Sequence, residues 1–203
     1  TEADAHEQMD YALDHGVTFW DTAEMYPVNP VSAETVGDTE AIIGNWFAKG
    51  GRDRVVLASK VAGKGRIIRP GAPITAESFT AALDASLARL KTDYIDLYQI
   101  HWPNRGSYHF RQNWGYKPPT DRAGALAGME EILRAAEVAL QAGKIRAIGL
   151  SNETVWGAAQ WLRLAEDHLL PRMATVQNEY SLLCRWFDTD WAEFSAMEDM
   201  PLL

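Results

Sequence analysis

The chain alternates helical and extended runs from end to end, and each extended run opens into a polar loop or turn. Residues 2–15 carry a helical apolar stripe of Ala5, Met9, Ala12 and Leu13. Thr1 is placed to cap that helix, Asp4 favours its first turn, and His15-Gly16 fits its close. Val17–Trp20 then reads as a short buried strand. Thr39–Lys49 predicts a second helix with Ile42, Ile43, Trp46 and Phe47 on its apolar side. The uncharged run Val55–Ser59, closed by Lys60, predicts a strand covered on both faces. Thr75 is placed to cap a third helix, which carries Phe79, Leu83, Leu87 and Leu90. Ser78 stands where a capping box would have Glu or Gln, so the full box is not expected. Strands Tyr94–Ile100, Ile145–Leu150 and Ala174–Gln177 alternate with helices Leu126–Gln141 and Val155–His168, and Trp186–Met197 is weakly helical. Such alternation implies parallel strands joined by crossover helices, within one domain.

The strands end in reactive groups. Asp21 follows the first, with Tyr26 in the loop beyond it; Lys60 closes the second; His101 follows the third. Ionisable residues gathered at the C-terminal ends of parallel strands point to an α/β barrel enzyme. A free phenol titrates at about pH 10, too high for efficient proton exchange near neutrality. A nearby ammonium lowers that value, a carboxylate keeps the ammonium charged, and an imidazole can hydrogen-bond a substrate oxygen. The set suits delivery of a proton to a carbonyl oxygen during reduction. Each residue alone has a structural explanation: a turn cap for Asp21, a loop aromatic for Tyr26, a solvated strand end for Lys60. Their recurrence at successive strand ends favours the chemical reading.

Composition removes other classes. A formal charge of −9 argues against nucleic acid as the main partner. No run of 18 apolar residues predicts a membrane span. Cys184 is the sole cysteine, which excludes an internal disulfide and fits a cytoplasmic setting, and no secretory leader is visible. His6, His109 and His168 lack metal-ligand spacing and are expected at the surface, so no metal is expected. Gly63-Lys64-Gly65-Arg66 lacks phosphate-loop spacing and reads as a turn. The long irregular stretch Trp102–Arg122 reads as a functional loop, with Trp102, Trp114 and Tyr116 either lining a substrate pocket or packing the loop on the barrel.

Five segments, in order, resemble the aldo-keto reductase family. They are Gly16-Val17-Thr18-Phe19-Trp20-Asp21-Thr22-Ala23-Glu24-Met25-Tyr26; Val56-Leu57-Ala58-Ser59-Lys60; Asp93–Pro103; Gly143–Asn152; and Gln177-Asn178-Glu179-Tyr180-Ser181-Leu182-Leu183. Within the family the chain is most similar to the bacterial Tas-type branch, related to the potassium-channel β subunits. The resemblance implies an incomplete (β/α)8 TIM barrel over residues 1–203, holding the second to sixth strands and the start of the seventh. The opening helix without a strand before it, and the final Met200-Pro201-Leu202-Leu203, fit that expectation of a fragment. The resemblance also implies NAD(P)H-dependent reduction of an aldehyde or ketone. Tyr26 would be the general acid, with Lys60 depressing its pKa, Asp21 pairing with Lys60 and also facing the cofactor, and His101 orienting the carbonyl. Ser151, Asn152 and Gln177 would hold the nicotinamide carboxamide. NADPH is the family expectation and NADH is possible; the segments that would bind the 2′-phosphate are not among these residues. The alternatives are a regulatory module of the channel-β type, or a fragment that is inactive and aggregation-prone alone.

Overall fold

The computed structural model describes residues 1–203 except Arg66, so the basic end of the Gly63–Arg66 turn lies outside the described residues. Its elements are α1 (Glu2–Asp14), β1 (Phe19–Asp21), α2 (Asp38–Phe47), β2 (Val56–Val61), α3 (Ala76–Leu90), β3 (Ile95–Ile100), α4 (Arg122–Gln141), β4 (Ile145–Ser151), α5 (Val155–His168), β5 (Met173–Gln177) and α6 (Ala192–Met197). The five strands form one all-parallel sheet in chain order. It curls as a half-barrel with flanking helices, an incomplete (β/α)8 barrel. Leu202 makes an isolated parallel bridge to Val176, which is where the sequence predicts a further strand to start. No helix among the described residues is long and apolar enough to cross a membrane.

Strand parity separates the two layers. On β2 and β3 one set of residues faces the helices: Leu57, Ser59 and Val61, then Tyr98 and Ile100. They meet Phe79, Leu83, Leu90, Ile132, Leu133 and Trp161 in the core. Burying each such side chain contributes about 1.5–3 kcal/mol. The opposite set points into the half-barrel and includes Lys60, Gln99 and the bare backbone of Gly149.

Three expectations change. Val17 and Phe19 are 54% and 40% exposed rather than buried, because β1 is the edge of the sheet and is paired only with β2. Ser78 does complete a capping box: its hydroxyl accepts from Thr75 N at 2.8 Å while the Thr75 hydroxyl accepts from Ser78 N at 3.2 Å. Helix α4 begins at Arg122, four residues before the predicted start, because Asp121 Oδ1 caps it through Gly124 N at 2.9 Å.

Candidate active site

Lys60 is buried at the end of β2 and its ammonium donates to Asp21 Oδ2 at 2.5 Å and to the Thr22 carbonyl at 2.8 Å. Register sets up this meeting: Asp21 pairs with Ala58 on β2, and Lys60 pairs with Gln99 on β3. Gln99 then donates from Nε2 to Asp21 Oδ1 at 3.3 Å. The Tyr26 ring lies over this pair, its centroid 5.1 Å from Lys60 Nζ. The His101 ring stands edge-on to Tyr26, with centroids 5.8 Å apart. The structure thus brings Asp21, Tyr26, Lys60 and His101 together at the C-terminal ends of three adjacent strands.

Burial sets the protonation states. It pushes the Tyr26 phenol up, and the Asp21 charge adds to that rise. The resemblance implied depression by Lys60; here burial and the Asp21 charge set the direction, and the Lys60 ammonium, paired to Asp21, lies over the ring. Burial pulls the Lys60 ammonium down, while Asp21 works against that. His101 is lowered from 6.5 to about 3, first by burial and then by the Lys60 charge. At neutral pH the site therefore holds a protonated phenol and a neutral imidazole.

Several buried polar atoms here have no partner among the described residues: Thr22 Oγ1, Gln99 Oε1, His101 Nδ1 and Thr175 Oγ1. Buried polar atoms are rarely left unpaired without reason. Gly149 keeps the wall beside them open, since a Cβ there would stand 2.6 Å from Thr175 Oγ1. Ser151 and Gln177 are register partners at the ends of β4 and β5. Asn152, in the left-handed region at φ 52°, donates from Nδ2 to the His101 carbonyl at 2.9 Å and to Ser151 Oγ at 3.0 Å. The three expected carboxamide residues therefore adjoin the tetrad.

The aromatic residues of the long loop separate. Trp102 lines a cavity of about 480 Å³ together with Met25, so its walls include the chain neighbours of both His101 and Tyr26. Gly63 makes room for the Trp102 indole, which donates to the Lys64 carbonyl at 3.1 Å. Tyr116 lines a second cavity of about 460 Å³ with Tyr108 and Trp156. Trp114 is 96% exposed and walls neither, although Gln112 two residues before it lines the first cavity.

Sequence reasoning missed Gln99, although it lies two residues before His101 and so shares its strand face. It also missed two buried acid–arginine pairs, Glu24–Arg69 and Glu153–Arg105. Two of the three histidines are buried rather than exposed. His6 Nε2 bonds the Ile42 carbonyl at 2.9 Å and His109 Nε2 bonds the Glu153 carbonyl at 3.0 Å. Each imidazole meets a carbonyl from a segment distant in sequence.

Comparison with known proteins places this geometry in a family. Residues 1–202 match the aldo/keto reductase family. The chain is 48% identical to Protein tas of Escherichia coli over 208 aligned positions, covering all of this chain and 59% of that protein. It is 35% identical to the uncharacterized oxidoreductase YrpG of Bacillus subtilis, covering 91% of this chain and 51% of that one. Among solved structures it superposes with TM-score 0.70 and 28% identity on an aldo/keto reductase from Klebsiella pneumoniae in complex with NADP and acetate, covering 99% of this chain and 56% of that one. An aldo-keto reductase from the same organism in complex with NADPH gives TM-score 0.72 at 27% identity, again covering 99% and 56%. The chain thus spans little more than half the length of these relatives. It belongs to the aldo/keto reductase family.

Proposed function

We propose that the protein reduces an aldehyde or ketone to an alcohol with NADPH, using Tyr26 as general acid. The observation that carries this reading is the Lys60–Asp21 contact at 2.5 Å beneath a half-buried phenol, with a neutral imidazole beside it. The Klebsiella relatives in complex with NADP and NADPH support the choice of cofactor. The residues fit such a group: Ser151, Asn152 and Gln177 offer the hydroxyl and amides that a carboxamide needs, and unpaired buried polar atoms stand nearby. When bound, the reduced nicotinamide supplies a hydride to the carbonyl carbon.

The chain's own residues handle the oxygen. His101, neutral at pH 7, orients the carbonyl oxygen by a hydrogen bond from its ring. Tyr26 is held protonated by its surroundings, so its proton is available as negative charge develops on that oxygen. The phenolate left behind faces the Lys60 ammonium, whose charge stabilises it. Asp21 and the Thr22 carbonyl fix that ammonium in place. The alkoxide becomes the alcohol, and Tyr26 recovers its proton from solvent. The cavity beside Trp102 is where the carbonyl substrate enters, with Arg105 and Asn104 as its polar wall.

The test is a titration of the full-length protein with NADPH and, separately, NADH, followed by a carbonyl screen read as loss of nicotinamide absorbance. Micromolar NADPH binding with turnover of at least one aldehyde supports the reading. Absence of binding to either nucleotide would overturn it.

A further inference from the structure

Just outside the tetrad lies a buried ion pair that proton transfer does not use. Glu153 is 1% exposed. Its carboxylate accepts from both terminal nitrogens of Arg105, one at 3.1 Å and the other shorter, from the Trp161 indole at 3.1 Å, and from Thr154 N at 2.6 Å. Arg105 also donates to Thr154 Oγ1 at 3.0 Å. The Glu153 backbone is gripped as well. Its carbonyl accepts from Asn178 Nδ2 at 3.0 Å and bonds His109 Nε2 at 3.0 Å, and its N–H donates to Asn178 Oδ1 at 3.1 Å. Gly157, in the first turn of α5, leaves the space for the pair: a Cβ there would overlap both the guanidinium and the carboxylate.

We propose that the Arg105–Glu153 pair positions the reaction by locking the loop after His101 to the segment that carries Ser151 and Asn152. This rests on the functional reading above. Arg105 lines both the cavity beside Trp102 and the one beside Tyr116, so its placement sets part of the wall that the carbonyl substrate meets. Glu153 directly follows Ser151-Asn152, so the same pair fixes where those side chains sit. Helix capping does not explain it, because the Thr154 hydroxyl already caps α5 through Gly157 N at 3.2 Å. Net stability explains it poorly, since buried ion pairs are often no better than apolar replacements of similar volume. What the pair adds is geometry: a forked, directional link between two loops.

The experiment uses the full-length protein, with benzaldehyde as the carbonyl probe. Glu153→Gln, Arg105→Met, the double variant and Gly157→Ala are compared with the parent. The double variant leaves no unpaired charge, and Gly157→Ala disturbs the pair sterically without removing one, so both keep the test open if a single variant fails to fold. We expect benzaldehyde KM and NADPH Kd to rise together by about tenfold in the double variant and in Gly157→Ala, since small misplacements of positioning groups are costly. Variants that melt earlier but keep both constants within twofold of the parent would overturn the inference alone. A parent inactive on carbonyls with NADPH would overturn the functional reading and this inference with it.

Discussion

The two ends of the half-barrel both bury charge, and they do so differently. At the N-terminal end Asp96 accepts from Arg52 at 2.7 Å, Arg146 at 2.8 Å and Leu57 N at 2.9 Å. Both guanidinium groups stack on Tyr94, at 3.9 and 4.1 Å from its centroid. Arg52 also donates to Thr92 Oγ1 and to the carbonyls of Val55 and Tyr94. At the C-terminal end Lys60 and Asp21 pair as tightly, yet Thr22 Oγ1, Gln99 Oε1 and His101 Nδ1 around them have no partner among the described residues. Polar atoms left open at this end are ones that a bound group could satisfy. On the proposed function, the difference puts stability at the lower end and chemistry at the upper, the end where such barrels carry their active sites.

That contrast can be broken by experiment, most sharply at its upper end. Lys60→Met in the full-length protein should lower carbonyl turnover by about 100- to 10 000-fold, since it removes the cation that faces the developing phenolate. Steady-state rates at saturating NADPH would show this, and a loss under threefold would place the chemistry elsewhere. Asp96→Asn should do the reverse. It strands the buried guanidinium of Arg52, Arg146 being 63% exposed, so denaturant unfolding should show a loss of roughly 3 kcal/mol while kcat of the folded enzyme stays within twofold. A large loss of kcat would erase the division between the ends.

A smaller effect sharpens the picture of the upper end. His101 has a folded pKa of about 3 against 6.5 when unconstrained, so the unfolded chain binds more protons between those values. Stability should therefore fall as pH drops from about 6.5 towards 3, and His101 should add no pH dependence above that window. His101→Asn should flatten the acid limb by about one proton, as read from unfolding curves across pH. An unchanged slope would mean the imidazole is not buried neutral.

The sequence carried much of this because its signals were local. Strand polarity, the residues at each strand end and the run of α5 follow from periodicity and turn residues alone. What was hidden depended on partners distant in the chain. Nothing near His109 announces that the Glu153 carbonyl will meet its ring, and nothing near Glu153 names Arg105. Phe19 reads as buried by type, and only the sheet order shows that it lies on an edge strand. Ser78 shows a different limit: a short hydroxyl did what a longer carboxylate usually does, because the Thr75 N–H lies 2.8 Å away. The rise in the Tyr26 pKa was equally out of reach, since it depends on burial and on the nearby Asp21 charge.

One measurement bears most directly on the central claim: Tyr26→Phe in the full-length protein, assayed for NADPH binding and for carbonyl turnover on the same sample. We expect NADPH affinity within threefold of the parent and turnover reduced by at least about 100-fold, because only the acidic proton is removed. Turnover at the parent rate would contradict the assignment of Tyr26 as general acid, and with it the reading of the upper end as the active site.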